Sequence, residues 1–177
     1  MDENNLSDID CNEVDLTELF INLKTRVIKE EEVRHFINRI LGKYFKTSSG
    51  LMQVGITSEN KIHILKTNIK LRGDYAIRHN AAILKIERII NNSKRMDRDG
   101  VVDLLHNSRR KTLKHKSRVL EYIYFCSNIR IYDNHFTVEL ATERMKGRNP
   151  ELLDLYNIRV KRNPAATQLS ALQTGVD

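Results

Sequence analysis

The stretch VLEYIYFCSNIRIYDNHFTVELATERM (Val119–Met145) decides the fold class, because its apolar residues recur with a period of two. Leu120, Tyr122, Tyr124 and Cys126 alternate with Val119, Glu121, Ile123 and Phe125. Past Ile129 and Ile131 the pattern resumes, with Phe136, Val138 and Leu140 alternating against Thr137, Glu139 and Ala141. Successive side chains of a strand point to opposite faces, so both halves read as strands. Tyr132-Asp133-Asn134-His135 between them supplies residues that tolerate turn geometry. After a loop with Gly147 and Pro150, LYNIRVKR (Leu155–Arg162) places Tyr156, Ile158 and Val160 on one face of a last strand. Strands joined by short connections form most simply an antiparallel meander.

Upstream the period changes to that of a helix. EEEVRHFINRILGKYF carries Val33, Phe36, Ile37, Ile40, Leu41 and Tyr44 at helical spacing, and Glu30, Glu31 and Glu32 favour the positive end of its dipole. LMQVGIT and KIHILKT read as short extended segments. A second helix is expected from about Asp74, a suitable N-cap, to Ser93, burying Ala82, Ile83, Ile86, Ile89 and Ile90. The expected class is therefore α+β, with N-terminal helices followed by a three- to four-stranded antiparallel sheet. The expected organisation is an acidic flexible leader over 1–15, one domain over 16–162 and a flexible tail over 163–177.

Charge is distributed unevenly. Residues 1–20 hold seven acidic side chains and no Lys or Arg, and 163–177 hold one acid and no base. The interval 21–162 thus keeps 30 basic residues against 15 acidic ones, a net of +15 inside a chain whose net charge is +7. A body with that excess attracts polyanions, and nucleic acid is the commonest. The densest cationic run, LHNSRRKTLKHKSR (Leu105–Arg118), enters the first long strand directly and contains no acid.

Several chemistries are excluded. Cys11 and Cys126 are too far apart in sequence, and too few, to indicate a disulfide framework or a zinc site. Gly50 and Gly55 are not followed by the Lys-Ser/Thr of a P-loop, and GxGxxG, HExxH and GxSxG are absent. No metal or cofactor is expected. No apolar run approaches the roughly 18–20 residues of a membrane span, so no membrane partner is expected and the chain reads as cytoplasmic.

What remains is metal-free chemistry. RNA is cleaved without metal when a base deprotonates the 2′-hydroxyl, an acid protonates the leaving oxygen, and a cation steadies the phosphoryl charge. Histidine suits the acid and base roles. The candidates for catalysis are His63, His106, His115 and Glu139. Phosphate contacts are expected from Arg109, Arg110, Lys111, Lys114 and Lys116. Tyr122 and Tyr124 are candidates for base stacking on a sheet surface, or else core aromatics of a strand.

The order of segments resembles a known group. VGIT…KIHIL, the helix AAILKIERIINNS, the His-bearing link LLHNSRRKTLKHK, IYDNHFTVELATER and the closing LYNIRVKR resemble the domains attached to large polyvalent proteins of phages and mobile elements. Those domains are similar to barnase–EndoU–RelE-like nucleases. The resemblance spans Gly50 to Arg162 and is one of pattern. It implies helices followed by an antiparallel sheet and a metal-independent ribonuclease acting as a toxin or phage effector, with a neutralising protein partner. By type and place it points to His63, His106, Arg109, His115, Glu139 and Tyr156. The alternative is a non-catalytic accessory module that binds nucleic acid or an acidic protein.

Overall fold

The computed structural model describes residues 13–21, 30–70, 73–96 and 118–163. Its backbone is the long meander of the opening stretch. Strand β5 (Val119–Ile131) pairs antiparallel with β6 (Asn134–Met145), and β6 pairs antiparallel with β7 (Leu152–Arg162). The first turn is tight: Ile131 faces Asn134 in register, and Tyr132 takes a left-handed φ of 53°.

Short strands extend this meander on both sides. β1 (Glu13–Asp15) runs parallel to β5, placing Val14 beside Ile129. β4 (Lys94–Arg95) pairs antiparallel with β5 further along the same strand. On the other side β3 (Gln53–Gly55) runs parallel to β7, and β2 (Tyr44–Lys46) pairs antiparallel with β3. The result is a mixed, seven-stranded sheet in the order β1-β5-β6-β7-β3-β2, with β4 beside β5, curled into a half-barrel.

This overturns the expected helices-then-antiparallel-sheet class. Three strands precede or interrupt the helices, and two pairings are parallel. A three-residue strand contains too few alternations to stand out as a period. A parallel pairing between segments 100 or so residues apart leaves no local turn signal.

The helices are short. α1 (Glu18–Ile21) follows β1, and α2 (Glu30–Ile40) buries Val33, Ile37 and Ile40, whereas Leu41 and Tyr44, expected on the same helix, lie past its end, Tyr44 in β2. KIHILKT, read as extended, lies instead within α3 (Ser58–Lys70). Thr57 caps it: the Thr57 hydroxyl accepts the Asn60 amide at 3.3 Å, and its carbonyl accepts the Lys61 amide at 2.8 Å. The expected second helix is two, α4 (Gly73–Leu84) and α5 (Ile86–Asn91), broken at Lys85. No helix among the described residues is long and apolar enough to cross a membrane.

One face of the sheet packs on these helices. Phe125, Ile129, Val138, Leu140, Leu155 and Ile158 meet Ile37, Ile64, Ile83, Ile86 and Ile89 in a single buried cluster. The opposite face carries Tyr122, Tyr124, Glu139, Glu143, Asp154 and Lys161, with Met96, Cys126 and Tyr124 as a smaller apolar patch.

His79 of α4 is only 1% exposed, and burial lowers its pKa to about 4. Its folded pKa lies below the unfolded value of 6.5, so neutral His79 contributes stability above pH 6.5 that is lost as the pH falls toward 4. The difference corresponds to about 3 kcal/mol at pH 4. Urea unfolding between pH 7 and pH 4 should show this loss, and His79→Gln, which keeps a donor for the Ile158 carbonyl, should flatten it.

Candidate functional site

Cross-strand register assembles a single row of residues at one end of the sheet. Tyr44 faces Gly55, Gly55 faces Asp154, Asp154 faces Glu143, and Glu143 faces Tyr122. The row crosses β2, β3, β7, β6 and β5 in turn. Directly opposed residues have Cβ atoms about 4.5–5.5 Å apart and share a face, so two carboxylates and two tyrosines are brought together from segments remote in sequence.

Gly55 is the step that closes this row. A Cβ there would lie 2.6 Å from the Lys43 carbonyl oxygen and 2.8 Å from the Tyr44 ring. The missing side chain lets Tyr44 reach across β3, and its hydroxyl donates to Asp154 Oδ1 at 2.7 Å. Arg148 Nη1 donates to Asp154 Oδ2, also at 2.7 Å. Asp154 is 4% exposed, and a carboxylate that deep is tolerated because it is charge-paired and hydrogen-bonded. Burial first, then the hydrogen bond to Asp154, pushes the Tyr44 hydroxyl up to about 12. Glu143, on the neighbouring strand, has no exposed surface.

Two irregularities in the ladder frame the row. Register shifts between Val119 and Glu121, which leaves Leu120 as a bulge with 62% of its surface exposed. It shifts again where Ala141 pairs with Asn157 and Thr142 with Leu155, which makes Tyr156 the extra residue of β7 at that bulge. A bulge re-aims the side chain it carries. Tyr156 stacks on His63 of α3, with ring centroids 4.4 Å apart and planes 15° apart. Tyr122 meets Tyr156 edge-on at 6.5 Å and 64°. His63 and Tyr122 are half-buried, whereas Tyr156 is 8% exposed and serves as their support.

Cations gather at the same end. Arg118 precedes β5 and pairs with Glu59 of α3 at 3.9 Å, and its carbonyl accepts the Lys146 amide. Arg144 donates to Glu121 at 2.7 Å, and Arg95 lies 3.7 Å from the same carboxylate. Arg118 is also the last cation of the run that begins at Arg109.

The structure therefore brings together two of the expected catalytic residues, His63 and Tyr156, although His63 stands on a helix and not on an extended segment. Tyr122 joins them. Glu139 is 6% exposed and is bound at 2.7 Å by Lys161, on the same face of the sheet but farther along. Tyr124 packs with Met96 and Cys126. His106, His115, Arg109, Arg110, Lys111, Lys114 and Lys116 lie outside the described residues.

Sequence reading missed Tyr44, Gly55, Arg148 and Asp154. For Asp154 a signal existed: an acid inside the apolar run LLDLY marks a carboxylate that must be buried and paired. Nothing local marked Tyr44 as its donor, because 110 residues separate the two.

Chemically, the arrangement offers flat ring surfaces, nearby cations and two adjacent buried carboxyl groups. No group of three or more His, Cys, Asp or Glu side chains among the described residues is placed to hold a metal ion. No protein-family model matches the chain, and no curated protein and no solved structure matches it.

The row makes its own prediction. Tyr44→Phe should cost about 1–2 kcal/mol at neutral pH and should abolish the tyrosine absorbance change that titrates near pH 12 in the unaltered chain. Because the Tyr44 pKa is raised on folding, its contribution is complete below pH 10 and is lost as the pH climbs toward 12. Gly55→Ala should lower stability by about 1–3 kcal/mol in urea unfolding, since backbone and ring must both shift to admit the methyl group.

Proposed function

We propose that this chain binds single-stranded RNA at the bulged end of the sheet. His63 and Tyr122 present ring faces for bases, Tyr156 holds them in place, and Arg118, Arg144, Lys146 and Arg148 contact phosphates. The observation that supports this most is the His63–Tyr156–Tyr122 ring cluster, with Arg118 directly before β5 and four residues before Tyr122. Stacking on aromatic and imidazole rings together with cations is how single strands are held without a duplex to read. The net of +15 in 21–162 supports the choice of a polyanion.

A second reading, metal-independent RNA cleavage, is favoured by Glu143 and Asp154 lying side by side and buried next to the rings. Two carboxyl groups and an imidazole supply the types of group that acid–base transesterification uses. The resemblance of 50–162 to ribonuclease-like domains of phage and mobile-element proteins points the same way. It would place this chain among toxins or effectors with a neutralising partner.

Binding and cleavage separate experimentally. Fluorescence anisotropy with a labelled single-stranded RNA should show affinity that falls steeply with salt, and His63→Ala and Tyr122→Ala should each weaken it about tenfold. Unchanged affinity in both variants, with folding confirmed by circular dichroism, rejects the interface. Cleavage predicts products ending in 2′,3′-cyclic phosphate in the presence of EDTA, lost in Glu143→Gln. RNA left intact from pH 5 to pH 8, with binding retained, assigns the chain to the non-catalytic accessory class.

A further inference from the structure

A cavity of about 440 Å³ opens at the far end of the β5–β6 hairpin, between that turn, the start of α4 and the end of β7. Tyr122 and Ile131 stand nine residues apart on β5, about 30 Å along the strand, so this cavity is separate from the ring cluster. Phe20, Ile77, Ile131 and Phe136 give it apolar walls, and Arg78 and Arg162 bring two guanidinium groups to it.

Those guanidinium groups are poorly satisfied by the protein. Arg78 lies over the Phe136 ring at 5.0 Å and the Tyr75 ring at 5.9 Å, and its Nε is buried with no hydrogen-bond partner. Arg162 donates a long 3.4 Å hydrogen bond to Asn134 Oδ1. Among the described residues neither forms a salt bridge. A buried donor without an acceptor is costly, and a ligand oxygen removes that cost. Guanidinium groups match carboxylate and phosphate geometry better than any other side chain.

Two further features narrow the ligand. Asp74 also lines the cavity, so among the described residues two guanidinium charges face one carboxylate, a single net positive charge. That balance neutralises a monoanion and leaves the second charge of a phosphate monoester uncompensated inside the cavity. Tyr132 lines the mouth from a left-handed φ of 53°, a backbone position that hairpin turns usually give to glycine or asparagine.

We infer that this cavity binds a small organic monocarboxylate, with its carboxylate on Arg78 and Arg162 and an aliphatic or aromatic body against Phe20, Ile77, Ile131 and Phe136. The size agrees, since pockets for small molecules are commonly about 300–1,000 Å³. The inference is independent of RNA binding and stands on a different part of the sheet.

Isothermal titration of the full chain with octanoate and with indole-3-acetate tests it, alongside octanamide, inorganic phosphate and AMP. Octanoate or indole-3-acetate should bind and raise the melting temperature, with octanamide at least about tenfold weaker than octanoate. Arg78→Met and Arg162→Met should each weaken carboxylate binding about tenfold. Arg162 lies on the exposed end of β7, so its variant carries the test if Arg78→Met fails to fold. The inference is overturned if neither carboxylate binds, if octanamide binds as tightly as octanoate, if both arginine variants bind normally, or if phosphate or AMP is preferred.

Discussion

The Asp154 carboxylate, 4% exposed, is satisfied from two directions: by the Tyr44 hydroxyl across an empty position on β3, and by Arg148 from the loop before β7. Each contact depends on a different part of the chain being in place. If β3 slipped by one residue against β7, a side chain would replace Gly55 under the Tyr44 ring and the carboxylate would lose its donor. A buried carboxylate without partners is far costlier than a misplaced apolar side chain. The pairing of β2, β3 and β7 is therefore specified by polar chemistry as well as by the apolar residues Val54, Leu153 and Leu155 beneath it.

The two faces of the sheet divide the work. The helix side is a continuous aliphatic core around Ile83, Ile86, Ile89 and Phe125 and gives the domain its stability. The other side carries carboxylates, tyrosines and basic residues in ordered cross-strand rows. The bulges at Leu120 and Tyr156 interrupt that regularity at one end, and there an imidazole from the helix layer reaches a tyrosine of the sheet. A regular ladder would have kept Tyr156 in strict alternation with Leu155 and its neighbours.

The meander was legible because twelve or so residues per strand repeat a simple alternation, and Tyr132-Asp133 marks its turn. The packed faces of α2 and of α4 with α5 were legible for the same reason at helical spacing. KIHILKT was misleading because its β-branched residues alternate, while Thr57, which caps a helix there, carries the contrary signal. The short strands β1, β2, β3 and β4 hold two or three residues each, and what binds them is a partner strand elsewhere in the chain. Of the candidate site, residue types were legible and meetings were not. His63 and Tyr156 were both singled out, yet their stacking depends on a bulge that a sequence period cannot announce. Asp154 directly precedes the alternating run that starts at Leu155, so the period does not include it.

The parallel pairing of β3 with β7 also bears on how the chain folds. Residue pairs such as Tyr44 and Asp154 close a loop of 110 residues, whereas the β5–β6 hairpin closes across a two-residue turn. Loop closure must be met before a distant contact repays it, so local hairpins form with little entropic delay and remote pairings follow. The meander and its helices can gather first. The tyrosine–carboxylate row completes late, once the early third of the chain has docked on the last strand. A chain that emerges from synthesis without β7 thus carries most of the core residues, but none of the row's acid–tyrosine contact.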